Sequence, residues 1–366
     1  MTERRSAHPY HMHDAMHAQP ECVARAMASQ REAVHRAAET VAARKRLWMV
    51  GTGSSLHATM VADYFLRHFT RGAGAAVIQS FEFVHYPREL RSDDAVIVIS
   101  HGGWKSYSAQ ALAAARAAGA LAIAVTGAGG SEHMRGADFV LETCEQEISC
   151  AHTKSYTTAL ALLALLAIRV AANRGYITAE DAQRAEAAVE KAPELQREAL
   201  KLEAQTIALA PQLAQRLRWR LVGAGPNWAT ACEGALKVKE TSYLGAEGLQ
   251  IEQFLHGPVA EVDERSVLVA HLAGGPGDHR VVAALRAAGE VDALRVLIAS
   301  HGATPAERLA EHVLEAPAAS EWLSPLLHVV PLQLLAYYSA LVCGINPDTC
   351  RRDQPAHDRA RRHFEL

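Results

Sequence analysis

The sequence predicts an α/β fold made of two copies of one unit, each with a parallel sheet between layers of helices. Three features carry this. Short apolar runs alternate with helical patterns through both halves of the chain, which puts helices on both faces of a parallel sheet. A glycine-rich turn follows the first core run of each half, at Gly51 and again at Gly223. Each half closes on a long apolar helix, and a grammar that runs twice is most simply two copies of one unit.

Taken in order, Cys22 to Arg44 reads as a helix, and Leu47 to Val50 as a strand that enters the loop Gly51-Thr52-Gly53-Ser54-Ser55 and then a helix through Phe65. Strands are expected at Ala76 to Gln79, Ala95 to Ser100, Ala122 to Thr126 and Phe139 to Glu142, with helices at Ser106 to Ala118 and about Tyr156 to Asn173. Ala179 to Leu217 has helical spacing only, with boundary signals at Pro193 and Pro211. The strand grammar then restarts at Arg220 to Val222, followed by Gly223-Ala224-Gly225 and a helix to about Gly245. Further strands are expected at Val267 to His271, Val296 to Ala299 and His312 to Glu315, and a last helix at Leu326 to Cys343. The implied organisation is an N-terminal helical segment (1–45), a first α/β domain (46–178), a helical linker (179–217), a second α/β domain (218–345) and a tail (346–366).

Composition narrows the function classes. The 366 residues carry 37 Lys+Arg against 40 Asp+Glu, with 49% hydrophobic and 21% charged residues, which excludes a mainly disordered chain. No Lys/Arg block offers the basic face that a nucleic acid requires, so the expected partner is a small molecule. The longest purely apolar run, Ala159 to Ile168, is half the length of a membrane span and ends at Arg169, so no membrane partner is expected and a buried helix is. Met1 to Pro20 is polar and His-rich without a secretory core, and six cysteines are scattered without a CxxC pair. Both favour a reducing, cytoplasmic setting and free thiols.

Two loops can hold an anion. Gly51 to Ser55 and Ser100-His101-Gly102-Gly103-Trp104-Lys105-Ser106 each follow a strand, open a helix and offer hydroxyls beside glycines, as a phosphate cradle requires. They also read as ordinary βα turns with serine N-caps. A dinucleotide site fits less well, because the third glycine of GxGxxG is missing. In the second half Glu233, Lys237 and Glu240 fall at i, i+4 and i+7, so two carboxylates and an ammonium share one helical face. That face is either a solvated charge stripe or a catalytic group turned toward the ligand end of the sheet. His256, in a Gly-Pro turn sixteen residues after Glu240, is a candidate acid/base partner.

These segments resemble the double sugar-isomerase (SIS) domain family, which includes the isomerase half of glutamine–fructose-6-phosphate transaminase. The motifs that carry the resemblance are Gly53-Ser54-Ser55, Ser80-Phe81-Glu82-Phe83, the Ser100 loop, Ala151 to Thr158, Glu233 to Glu240 with Ser242-Tyr243, His256-Gly257-Pro258 and Pro331 to Tyr337, all in the family's order. The resemblance implies two tandem flavodoxin-like domains of three αβα layers, and proton transfer between C1 and C2 of a 6-phosphorylated sugar. Glu240 matches the general base, His256 the ring-opening residue contributed in relatives by the neighbouring subunit, Lys237 the cation near the developing oxyanion, and Glu233 its helical neighbour. Gly53, Ser54, Ser55, Ser100, His101, Gly102, Lys105, Ser106 and Ser108 match the phosphate loops or their flanks, and Cys150 and Ala151 a further substrate segment. A homodimer with shared sites is therefore expected. No cofactor is.

Three departures shape the expectation. The sequence opens on a helical segment with no N-terminal cysteine nucleophile, so glutamine-dependent amination is not expected. No lysine follows Lys239, so a tail lysine cannot form a Schiff base, and the tail arginines are candidates to hold an anionic group instead. The family's Ser-x-Ser-Gly-x-Thr phosphate loop is replaced by Ser100 to Lys105, which loses two hydroxyls and gains a cation. The readings are an amino-sugar-type isomerase or deaminase, a deglycase splitting a phosphorylated fructosyl amine (known deglycases of the superfamily also lack the tail lysine), and a non-catalytic sugar-phosphate sensor. The N-terminal histidines His8, His11, His13 and His17 are read as structural, with no metal.

Overall fold

The computed structural model describes residues 5–86, 89–130, 132–303 and 308–364. In chain order the first half runs α1 (His11–His17), α2 (Gln19–Ala42), β1 (Arg46–Gly51), α3 (Ser54–Phe69), β2 (Ala76–Gln79) and α4 (Ser80–His85). It continues through β3 (Asp94–Ile99), α5 (Ser106–Ala117), β4 (Leu121–Ala128), α6 (Glu132–Arg135), β5 (Phe139–Glu145) and α7 (Lys154–Asn173). Three helices follow, α8 (Ala179–Glu190), α9 (Ala192–Leu200) and α10 (Glu203–Ala214). The second half comprises β6 (Arg218–Gly223), α11 (Asn227–Thr241), β7 (Gly245–Gln250), α12 (Ile251–Leu255), β8 (Ser266–Leu272) and α13 (Asp278–Glu290). It ends with β9 (Leu294–Ser300), β10 (His312–Ala316), α14 (Pro325–Val342) and α15 (Pro355–Arg361).

Two compact units result. One comprises Ala18–Glu147, Lys154–Pro193 and Gln354–Leu366; the other comprises Met1–His17, Ile148–Thr153 and Glu194–Asp353. The first unit holds a parallel sheet in the order β2-β1-β3-β4-β5, and the second a parallel sheet in the order β7-β6-β8-β9-β10. Matched strand by strand, these are one topology written twice, as the repeated grammar predicts. In the first unit Trp48, Val50, Val96, Val98, Ala122 and Ala124 pack against Phe83 and the α5 residues Ala111, Leu112 and Ala115. In the second, one sheet face packs Trp219, Leu221, Val267 and Val269 against α10, α11 and α14, while the other packs Val222, Leu268 and Ala270 against α12 and α13. Central strands buried on both faces explain why β3 and β8 read as mainly apolar runs without alternation.

The repeat extends to loop chemistry. A Cβ on Gly51 would lie 2.6 Å from the carbonyl carbon of Ser55, and one on Gly223 would lie 2.3 Å from the carbonyl oxygen of Asn227. Both glycines let the following helix begin hard against its strand. The side chain of Gln79 accepts N–H bonds from Phe81 and Glu82, and that of Gln250 accepts them from Glu252 and Gln253, so one glutamine caps the same short helix in each half.

Two expectations are corrected. The helix after Gly225 ends at Thr241, not near Gly245, and residues 245–250 form strand β7. Its Gly-Ala-Glu-Gly-Leu-Gln sequence has no apolar alternation because it is an edge strand closely covered by α11: a Cβ on Gly248 would lie 2.3 Å from the Cα of Cys232. Pro211 does not end a helix but sits inside α10. The carbonyl that loses its partner belongs to Ile207, which is 48% exposed, so solvent can take the bond. Both α7 and α14 are long and apolar enough to cross a membrane by length and composition, and 89% of the apolar window of each is buried in the fold.

Candidate active site

The second unit builds its charged group on α11. After the sharp Gly223-Ala224-Gly225 turn, where Gly225 has φ +53°, the helix packs between β6 and α14. That fit depends on Gly234, where a Cβ would lie 2.6 Å from Leu332 Cδ1 and 2.9 Å from Leu221 Cδ2. The Thr241 hydroxyl, donating to the carbonyls of Lys237 and Ala336, ties the end of α11 to α14. With both faces fixed, Glu233, Lys237 and Glu240 are held on one side of the helix. Lys237 Nζ is 2.6 Å from Glu240 Oε2 and 3.4 Å from Glu233 Oε1.

The solvated-stripe reading is overturned by burial. The side chains of Glu233 and Lys237 are 0% and 1% exposed, whereas that of Glu240 is 26% exposed. Burial by itself lowers an ammonium pKa; here the carboxylates of Glu233 and Glu240 outweigh it and hold Lys237 well above the ordinary lysine range. Two buried unlike charges thus form an anchor, and the carboxylate that reaches solvent is Glu240. A partly desolvated carboxylate held by an adjacent ammonium suits proton abstraction next to a carbonyl.

His256 is the C-cap residue of α12, directly before Gly257. Its side chain is 76% exposed, and its Nε2 lies 3.4 Å from Glu252 Oε2. Its carboxylate neighbour is therefore Glu252, not a member of the Lys237 group. Sequence reasoning missed Cys350. Its thiol is pushed up by a hydrogen bond with Cys150, by burial and by the Glu240 carboxylate, with Lys237 opposing. The Cys150 N–H donates to the Asp348 carbonyl, and Ala151 is fully buried, its N–H donating to the Ser149 hydroxyl. The segment 148–153 therefore joins the same unit as Glu240. Of the tail arginines, Arg351 stacks on Tyr243 at 4.1 Å, and its N–H donates to the Tyr243 hydroxyl at 2.8 Å. Nothing in the sequence spacing pairs position 150 with 350 or position 243 with 351.

In the first unit the two serine-bearing loops sit at the carboxyl ends of β1 and β3. The N-cap of α3 is Gly53 and that of α5 is Lys105, and neither helix carries a side-chain cap bond. Ser54, Ser55 and Ser106 are consequently first-turn residues, not caps, and the N-cap reading fails. Ser106 Oγ accepts from Gln110. Ser108 points inward, its hydroxyl 3.2 Å from that of Ser80. The Ser100 hydroxyl is buried with no hydrogen-bond partner among the described residues, an arrangement that costs free energy unless something occupies it. The His101 carbonyl accepts from the Gly127 N–H and from Gln146, which pins the loop to the end of β4. Gly102 lies against the Trp104 ring, where a Cβ would come within 2.6 Å.

Comparison with known proteins bears on these observations. The SIS domain family model matches residues 41–169 and 212–343. Glutamine–fructose-6-phosphate aminotransferase (isomerizing) of Thermococcus kodakarensis is 32% identical over 349 residues, covering 95% of this chain and 58% of that protein. The protein of the same name from Pyrobaculum aerophilum is 33% identical over 356 residues, with coverages of 95% and 57%. The chain thus spans a little over half the length of these relatives. The solved C-terminal domain of glucosamine-fructose-6-phosphate aminotransferase from Francisella tularensis shares the fold, with a TM-score of 0.86 at 22% identity over 94% of this chain and 99% of that one. The chain belongs to the SIS domain family and carries the domain twice.

Proposed function

We propose that this protein is a sugar-phosphate isomerase of the amino-sugar type, acting on a hexosamine 6-phosphate or close relative by moving a proton between C1 and C2. The observation that carries this reading is the Glu233–Lys237–Glu240 arrangement, with its first two members buried and Glu240 open to solvent. Glu240 takes the proton next to the carbonyl, forming an enediol or enolamine, and returns it to the neighbouring carbon. Lys237 holds Glu240 in place and offsets the charge that develops on the substrate oxygen. Glu233 fixes Lys237. Within the first unit, the loops at Gly53 to Ser55 and Ser100 to Ser106 are candidates to hold an anionic group, with Lys105 as a point charge and the Ser100 hydroxyl, which has no partner among the described residues, as a donor.

His256 opens the sugar ring, and its exposure fits service in a neighbouring copy of the chain, so the active form is a homodimer. Mixing Glu240→Gln with His256→Ala protein tests this, because mixed dimers regain activity only if the two residues act across subunits. A second reading is favoured by the stretch 240–366, in which no residue is lysine. In that reading the same base splits a phosphorylated fructosyl amine. Product analysis separates the two: aldose–ketose interconversion or ammonia release from a hexosamine 6-phosphate supports the first, and release of a free amino acid or other amine supports the second. No turnover of any of these substrates overturns both.

A further inference from the structure

Two of the N-terminal histidines, His13 and His17, come together in the fold. His13 and His17 lie at i and i+4 of α1, which puts both rings on one face, with centroids 4.4 Å apart. Facing them is Glu203, the first residue of α10. Its Oε1 is 2.9 Å from His13 Nε2 and 3.2 Å from His17 Nε2. Both helices belong to one unit, and the three atoms all lie within 4.8 Å of one another.

The spacing also suits a coordination sphere. Ligand atoms bonded at about 2.0–2.1 Å to a tetrahedral ion stand about 3.3 Å from each other, close to both N···O edges seen here. The support around the cluster is also built. Met12 and Met16 are fully buried beneath α1, and the Asp348 carboxylate accepts the His11 and Met12 N–H groups at 2.8 Å, which fixes the start of the helix. The Tyr338 hydroxyl donates to Glu203 Oε1 at 2.6 Å and orients the carboxylate, the role that outer-shell groups have around metal ligands. His17 is the most exposed of the three, at 39%, and leaves an entry path.

We propose that His13, His17 and Glu203 bind a divalent transition-metal ion, zinc foremost, with water in the fourth position. The two rings bind through Nε2 with their protons on Nδ1, and the ion fastens α1 to α10. Two nitrogens and one carboxylate oxygen suit zinc, whereas magnesium and calcium require oxygen donors. The site is independent of the proton chemistry assigned to Glu240.

The test uses the full chain without an affinity tag, stripped with chelator and titrated with Co2+ and then Zn2+. The expected result is one Co2+ per chain with visible absorption of a low-coordinate site, displaced by Zn2+, together with a rise in melting temperature. His17→Ala and Glu203→Gln should each weaken binding at least about tenfold, as loss of even an outer-shell group commonly does. Glu203→Gln keeps an acceptor for Tyr338, and metal-free melting of both variants reports whether the fold is intact. His301→Ala, an exposed histidine beside Glu315, should leave binding unchanged. No saturable binding at micromolar metal, or saturable binding that survives both His17→Ala and Glu203→Gln, overturns the proposal.

Discussion

Replacing Lys237 by methionine keeps the aliphatic volume and removes the charge. Glu233 then stands fully buried, having lost an ammonium at 3.4 Å, and Glu240 loses its 2.6 Å anchor. Removing one partner of a buried ion pair costs about 3–5 kcal/mol, because the other charge stays in the interior. At about 2–4 °C per kcal/mol for a unit of this size, the melting transition of the second unit should fall by roughly 6–20 °C. Scanning calorimetry of Lys237→Met reads this directly. Adding Glu233→Gln should restore part of the loss, because the buried negative charge is gone, and the double-mutant cycle should give a coupling of about 1–3 kcal/mol. The pH sign follows from the raised pKa of Lys237. A group whose pKa is higher folded than unfolded stabilises in full below its unfolded value, and that stability is lost as pH rises through the folded one. The difference between wild type and Lys237→Met should therefore stay constant from pH 6 to 9 and shrink only in strong alkali, above about pH 10. A methionine variant within about 1 kcal/mol of wild type would falsify the buried-anchor reasoning.

Other expectations follow from single features. Gly51→Ala and Gly223→Ala each drive a methyl into backbone within 2.6 Å, so each should cost about 1–3 kcal/mol or more in urea unfolding; neutral variants would contradict the shared turn geometry. Buried His271 and His328 are held neutral, with His328 pushed down to about 3 by burial. Their folded pKa values lie below the unfolded one, so the unfolded chain binds more protons in acid. Stability should drop by roughly 2 kcal/mol per histidine between pH 7 and pH 5, and a flat urea midpoint over that range would exclude this. Ser100→Ala removes a hydroxyl with no partner among the described residues. Its melting temperature should barely move, while binding of sugar 6-phosphates should weaken about 10–100-fold, the worth of a hydrogen bond to a charged group. Unchanged binding in a thermal-shift titration would remove Ser100 from the phosphate site.

The legible parts of the sequence are those set by local pattern. Central strands such as β3 and β8 are apolar because both faces are buried, and the turns at Gly51 and Gly223 announce themselves by composition. Strand β7 is hidden because its residues answer to close packing by α11, not to alternation. The i, i+4, i+7 spacing reveals that Glu233, Lys237 and Glu240 share a face, but spacing alone does not say whether that face is wet, and the burial of Glu233 and Lys237 decides it. Contacts across long separations have no local signal: Glu203 meets His13 and His17, Cys350 meets Cys150, and Asp348 caps α1. The inward turn of Ser108 toward Ser80 is likewise fixed by the placement of α4, not by the loop sequence.

The role of Glu240 is tested most directly by deuterium exchange. Hexosamine and hexose 6-phosphates are incubated with the protein in D2O, and C1 and C2 are followed by NMR. Wild-type protein should introduce deuterium at these carbons. Glu240→Gln should introduce none while still being stabilised by the same ligands in a melting assay. Exchange at the wild-type rate in Glu240→Gln, or no exchange by wild type with any ligand that stabilises it, would contradict Glu240 as the base.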